Sequence, residues 1–372
     1  MVDISRRSLL AGFGVGLLVP VGIAGGVEAG GTLYVNAKAD ADGRFRVTAF
    51  DGEGAVAFDL PLPERGHAFT AAPDGGDGVI FARRPGTWAL VIDRRGGEIR
   101  KAIASVPGRH FFGHGVYSRD SRLLYATEND YEAGRGIIGI YDAAAGYERV
   151  GEHPSHGIDP HDLRLLDDHT LVVANGGILT HPDAPRAKLN VPTMEPSLVH
   201  MDLRDGALLA KDAPPAELRQ LSWRHLAVGR DGAVGVAMQY EGPENALPPL
   251  VGLRRPGEGF RFLDMPDRAL RALEHYCGSA AADREGRVLG VSAPRGDRVV
   301  FWDMATGELM SVGEIPDGCG IAAGPEPATF LVSSGQGGVR LFDARTGQSR
   351  PIARKLDPAD QWDNHMTVVE RA

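Results

Sequence analysis

Seven positions along the chain carry an imidazole or a thiol at the head of an apolar, strand-like run: His67, His114, His161, His225, Cys277, Cys319 and His365. Their spacings are 47, 47, 64, 52, 42 and 46 residues. Both cysteines of the chain fall in this series. A thiol replaces imidazole poorly as a structural hydrogen bonder, yet both groups are good ligands for transition metals. The series therefore predicts a ring of metal ligands, three to five of them reaching one ion and the rest acting as supports. A mixed imidazole and thiolate set favours copper or iron and is compatible with zinc. A competing reading stays open. Gly66-His67, Gly113-His114 and Trp302-Asp303 match the structural Gly-His and Trp-Asp signature of repeat propellers, in which each His bonds within its own blade.

Secondary candidates cluster near the ring. Asp159-Pro160-His161-Asp162, Asp363-Asn364-His365 and the loop histidines His153 and His156 add polar groups. Glu128, Asn129, Asp130 and Glu132 form an acidic run, and Glu128 or Asp162 is the candidate acid/base of a metal-dependent reaction. Arg65, Arg109 and Arg224 precede ring histidines by one to five residues and would hold an anion or bridge blades. Met194 and Met238 read as core. The chain holds no C-x-x-C-H, nucleophile elbow, phosphate-cradling loop or H-E-x-x-H.

Positioning seven equivalent groups requires a repeat. An apolar–Asp–turn pattern recurs at Asp51, Asp93, Asp142, Asp202, Asp303 and Asp343, with a degenerate member at Leu253–Gly257, and it alternates strictly with the His/Cys series. Asp and Gly supply the side-chain bond and positive φ that tight turns need. A period in the forties with four short strands is that of a propeller blade. The expected fold is all-β, a seven-bladed β-propeller. The run after His365 supplies one strand, and Thr32–Asn36, Phe45–Phe50 and Ala55–Leu60 supply the other three of the closing blade. Long second-to-third-strand loops at 128–136, 175–197 and 239–249 predict the binding face.

The whole chain has 372 residues, a formal charge of −9 and 43% hydrophobic residues. An acidic chain without a basic patch argues against a nucleic-acid partner. Two cysteines exclude a disulfide framework, although the pair could still bridge. Ser5-Arg6-Arg7-Ser8 followed by an uncharged run to Val27 predicts a twin-arginine-like signal peptide over residues 1–29, with a single propeller over 30–372. The expected address is the periplasm, with no stable membrane span once the signal is removed.

Several longer stretches carry a resemblance. Gly108–Gly115, Thr127–Gly136, Pro160–Arg164, Val173–Gly177, Thr193–Leu198, Trp223–His225 and Trp362–His365 together resemble an uncharacterised bacterial family of twin-arginine-exported seven-bladed propellers, a domain of unknown function. Its genes often lie beside imelysin-like iron-regulated proteins. The resemblance thus implies iron or copper handling, with periplasmic metal-uptake proteins as partners. Three functions are expected in descending order: a metal-binding component, a metal-dependent hydrolase or oxidoreductase, and a metal-free interaction platform.

Overall fold

A computed structural model describes residues 31–184, 187–352 and 356–370. Twenty-eight strands, numbered β1 to β28 in chain order, form seven four-stranded antiparallel sheets. The inner strands are β4 (Gly66–Ala71), β8 (Arg109–Tyr117), β12 (Pro160–Leu165), β16 (Leu221–Val228), β20 (Ser279–Ala282), β24 (Gly318–Ala323) and β28 (Gln361–Glu370). Each packs against the next, and β28 packs against β4, so the ring closes around a central channel. The chain is a seven-bladed β-propeller.

Closure is made as the repeat predicts. Strand β28 pairs antiparallel with β1 (Thr32–Ala39), and β2 (Phe45–Asp51) and β3 (Val56–Pro61) complete that blade. A buried Lys38–Asp360 ion pair at 2.7 Å and the bond from Thr367 Oγ1 to the Phe69 carbonyl, also 2.7 Å, tie the joined termini to each other and to the first blade. Fusing the ends into one sheet leaves no inner edge strand unpaired.

The aspartate turns perform as their chemistry dictates. Asp51, Asp93, Asp142, Asp202, Asp303 and Asp343 each accept a backbone N–H from two or three residues further on. In the blade lacking this Asp, Gly257 and Gly259 adopt positive φ and make the turn without it. Apolar side chains fill the spaces between neighbouring sheets. One cluster runs from Val172 through Trp223 and Leu253 to Trp302, across three blades.

Two expectations about elements are corrected. The loop expected over 128–136 is mostly strand: β9 (Leu123–Asp130) and β10 (Arg135–Asp142) leave a four-residue turn, because Glu128 and Asn129 are buried and laddered to Ile137 and Gly136. Cys277 does not open a strand; β20 begins two residues later at Ser279. The other long loops, 176–196 and 241–250, are present as expected. No helix among the described residues is long and apolar enough to cross a membrane. The expected signal at residues 1–29 lies outside the described residues.

Candidate metal centre

The inner strands carry a shared irregularity. Register shifts between strand and neighbour occur at 66–69 in β4, 111–115 in β8, 160–162 in β12, 223–225 in β16 and 362–366 around β28. Each of these shifts brackets one ring histidine, and a sixth, at 318–321 in β24, brackets Cys319. An extra residue in one strand of a pair re-aims a side chain that strict alternation would bury in the blade. The five imidazoles therefore turn inward together. Gly113 serves the same packing: it has φ 105°, and a Cβ there would collide with the His67 ring.

The result is a compact plug of imidazoles across the channel. The His67 ring centroid lies 4.4 Å from that of His365 and 5.0 Å from that of His114, and His114 and His365 are 4.5 Å apart. His161 lies 5.2 Å from His114, and His225 lies 4.8 Å from both His161 and His365. His67, His114, His161 and His365 each offer a ligand atom, and these atoms all lie within 4.8 Å of one another. This buried group can hold a metal ion. The rings meet across blades, so they are not the within-blade hydrogen bonders of the competing sequence reading.

Groups behind the rings set which nitrogen faces inward. Asp162 Oδ1 is 3.3 Å from His114 Nδ1, so this nitrogen donates and Nε2, buried without a partner, keeps its lone pair for the centre. Ser279 Oγ is 3.4 Å from His365 Nδ1, and again Nε2 is left unpartnered. Asp363 stands 3.8 Å from His67 Nδ1, beyond hydrogen-bond reach, so this nitrogen is buried without a partner while Arg65 holds the carboxylate. A carboxylate behind a ligating imidazole fixes its tautomer and raises its basicity. His161 differs. Arg224 donates to its Nδ1 at 2.9 Å, and a guanidinium can only donate, so neutral His161 carries its proton on Nε2. The geometry thus leaves His114 Nε2 with a lone pair for the centre and makes His161 a locked neighbour, while the contacts of His67 and His365 select neither tautomer. His225 has a partner on neither nitrogen.

Burial keeps His67, His161, His225 and His365 neutral. It holds His67 at a pKa of about 4 against the opposing pull of Asp363, and it pushes His161, His225 and His365 well below the ordinary imidazole value. Burial alone would raise Asp162 and Asp363. Arg164 and His114 around the first, and His67 and Arg65 around the second, hold both carboxyls well below the usual range. Neutral imidazoles backed by carboxylates are the state that binds a metal without first expelling protons.

The two cysteines do not join the cluster. Cys277 is fully buried within the apolar cluster of the third to fifth blades, and burial pushes its thiol up to about 12. Cys319 follows Gly318 at the same register as His67 follows Gly66, but its Sγ contacts Asp317 at 3.4 Å, and burial with that carboxylate raises it. Both are free, which removes the expected bridge as well. Of the seven ring positions, the structure brings the five histidines together and leaves Cys277 and Cys319 apart. The preference for copper or iron drawn from mixed ligands loses its basis, because an imidazole-only set accommodates copper, iron and zinc alike. Replacing both cysteines with Ala is expected to leave bound metal unchanged while lowering stability by about 1–3 kcal/mol through lost packing. Metal analysis beside denaturant titration checks this.

The other candidates have structural partners. Glu128 accepts from Tyr141 at 2.6 Å and Arg149 at 3.0 Å, with Arg109 at 3.4 Å, a saturated ion-pair network within its own sheet. It is therefore unsuited to the acid/base role expected of it. Asp162 is committed to His114, Arg164 and the Leu226 N–H. His153 and His156 are half-buried, not exposed, and bond the Leu203 and Gly206 carbonyls of the next blade. Met194 and Met238 are core, as expected. Ser279 and Arg84 went unnoticed in sequence. Nothing local marks Ser279, 86 residues from His365.

The plug divides the channel. His114, His365, Arg164 and Ser279 face a lower chamber of about 460 Å³. His67, His161 and His225 line a cavity of about 50 Å³ above, which adjoins a mouth of about 510 Å³. That mouth lies among the turns at Asp317, Gly335 and Arg295, on the face where the inner strands begin.

Fold and site together define a seven-bladed β-propeller whose channel is blocked by buried imidazoles. The chain belongs to the family described as "Protein of unknown function (DUF1513)", which matches residues 60–369. No curated protein matches the chain. Among solved structures it is similar in fold to the Kuenenia stuttgartiensis hydrazine synthase, with a TM-score of 0.59 and 16% identity over 92% of this chain and 100% of that one.

Proposed function

We propose that this chain is a metal-binding propeller that holds one transition-metal ion, iron, copper or zinc, on His67, His114 and His365 and acts as a binding component in metal handling. The observation that carries this reading is the convergence of four buried histidines with ligand atoms within 4.8 Å of one another, backed by Asp162, Asp363 and Ser279. Imidazole-only donor sets suit first-row ions from iron to zinc, not magnesium or calcium. A twin-arginine-like leader at Ser5-Arg6-Arg7 supports a periplasmic address, and export after folding would let the ion load before translocation. A binding role fits better than turnover, since Glu128 and Asp162 are both committed to structural partners.

Metal content of the full-length chain decides the matter. After growth with iron, copper and zinc supplied and removal of loosely bound ions, about one equivalent of a single metal is expected. Protein that retains none of the three above background, and takes up none on titration, overturns the reading.

A further inference from the structure

The small cavity above the imidazole plug has a charge imbalance that metal binding does not explain. Arg83, Arg84 and Arg224 all line it. The anionic partner within reach of these guanidiniums is Asp159, which is fully buried, with Arg84 Nη1 at 3.4 Å from Oδ1 and Arg224 Nη2 at 3.3 Å from Oδ2. Arg224 is itself 2% exposed, and its Nε has no partner. Among the described residues, Arg84 makes no other side-chain hydrogen bond and Arg83 makes none. The histidines beside them are held neutral and offset none of the charge. Three cations against one carboxylate, around a narrow recess at the base of the mouth, favour a bound anion.

Size and shape narrow the class. A water needs roughly 10–15 Å³ of such space, so a cavity of about 50 Å³ admits an anionic group of three or four heavy atoms. Guanidinium groups present parallel N–H donors that match the two oxygens of a planar carboxylate. The outer mouth shares Arg83, Tyr276 and Asn364 with the cavity and adds Lys38, Arg65 and Arg295 against Asp317 and Asp363, with Arg65 paired to Asp363. Tyr276 is stacked under Arg295 at 4.3 Å on this path.

We propose that this cavity is a binding site for a small planar oxyanion, a carboxylate such as formate or acetate or bicarbonate, received by Arg84 with Arg83 and Arg224 supplying charge. The site stands on the arginines and does not require the metal. Calorimetric titration of the full-length chain, stripped of metal and dialysed, separates the two readings. Formate, acetate, bicarbonate, chloride and phosphate are the probes, with bicarbonate measured at mildly alkaline pH. At least one planar anion is expected to bind saturably and at least about tenfold more tightly than chloride, since two charge-assisted bonds replace one. R84Q is expected to weaken it at least about tenfold and R83Q several-fold, while R295Q in the outer mouth changes it less than about twofold. Thermal melts confirm that each variant is folded, and the exposed Arg83 keeps the test available where R84Q does not fold. Saturation by none of the planar anions, chloride or phosphate binding as tightly as they do, or R83Q and R84Q both behaving as the parent chain overturns the proposal.

Discussion

The metal-free chain is expected to lose stability steeply as pH falls below about 6.5 and to have lost roughly 8 kcal/mol by pH 5. His67, His161, His225 and His365 all have folded pKa values depressed by burial. A depressed imidazole binds its proton in the unfolded chain first, so its contribution is fully present above the unfolded pKa near 6.5 and is lost as pH falls towards the folded value. Each such group costs about 1.4 kcal/mol per pH unit in that window, hence about 2 kcal/mol at pH 5, and four of them approach the whole stability of a typical domain. His110 and His200, both lowered to about 4 by burial, act in the same direction. Asp159 and Asp360 are raised by burial and act in the opposite one. Asp162 and Asp363 are depressed carboxyls, so their stabilisation disappears only below the ordinary carboxylate range. Urea midpoints measured between about pH 7.5 and pH 5 test this. A flat profile would mean that the imidazoles are hydrated or already charged in the native chain.

The second large effect concerns the ladder behind His114. H114A removes one of the three proposed ligands and is expected to lower metal affinity by more than about 100-fold. D162N keeps the ring and removes only the charge behind Nδ1, so a loss of about 10- to 100-fold is expected. In the structure, Asp162 also accepts from the Leu163 and Leu226 N–H groups, bonds that the Asn carbonyl can retain only in part, so D162N is also expected to melt lower. Competition titration against a chelator resolves the order. H114A binding as tightly as the parent chain would remove His114 from the site, and equal losses in the two variants would mean that the carboxylate acts through folding rather than through the ligand.

Much of the architecture is legible in the residues. Asp303-Met-Ala-Thr-Gly307 and its counterparts act through bonds of two to four residues' reach, so the turn, the strand before it and the repeat length all follow from local chemistry. The candidate site was half legible. His67, His114, His161, His225 and His365 are marked by periodicity, and they do converge. Cys277 and Cys319 share the period and not the destination. The chain around Cys277 carries no inner-strand register shift, so its thiol remains in the apolar wall, and Cys319 turns towards Asp317.

What the amino-acid order determines by itself is therefore the number of blades, the way the ends interlock and the five histidines that approach the axis. Those features depend on short-range alternation and turn formation, which a linear pattern encodes directly. The identity of the groups that meet, the nitrogen each ring presents and the arginine-lined space beside them were decided by tertiary structure. They depend on Asp162 reaching His114, Arg224 reaching His161 and Ser279 reaching His365, contacts between different blades that exist only when the ring is closed.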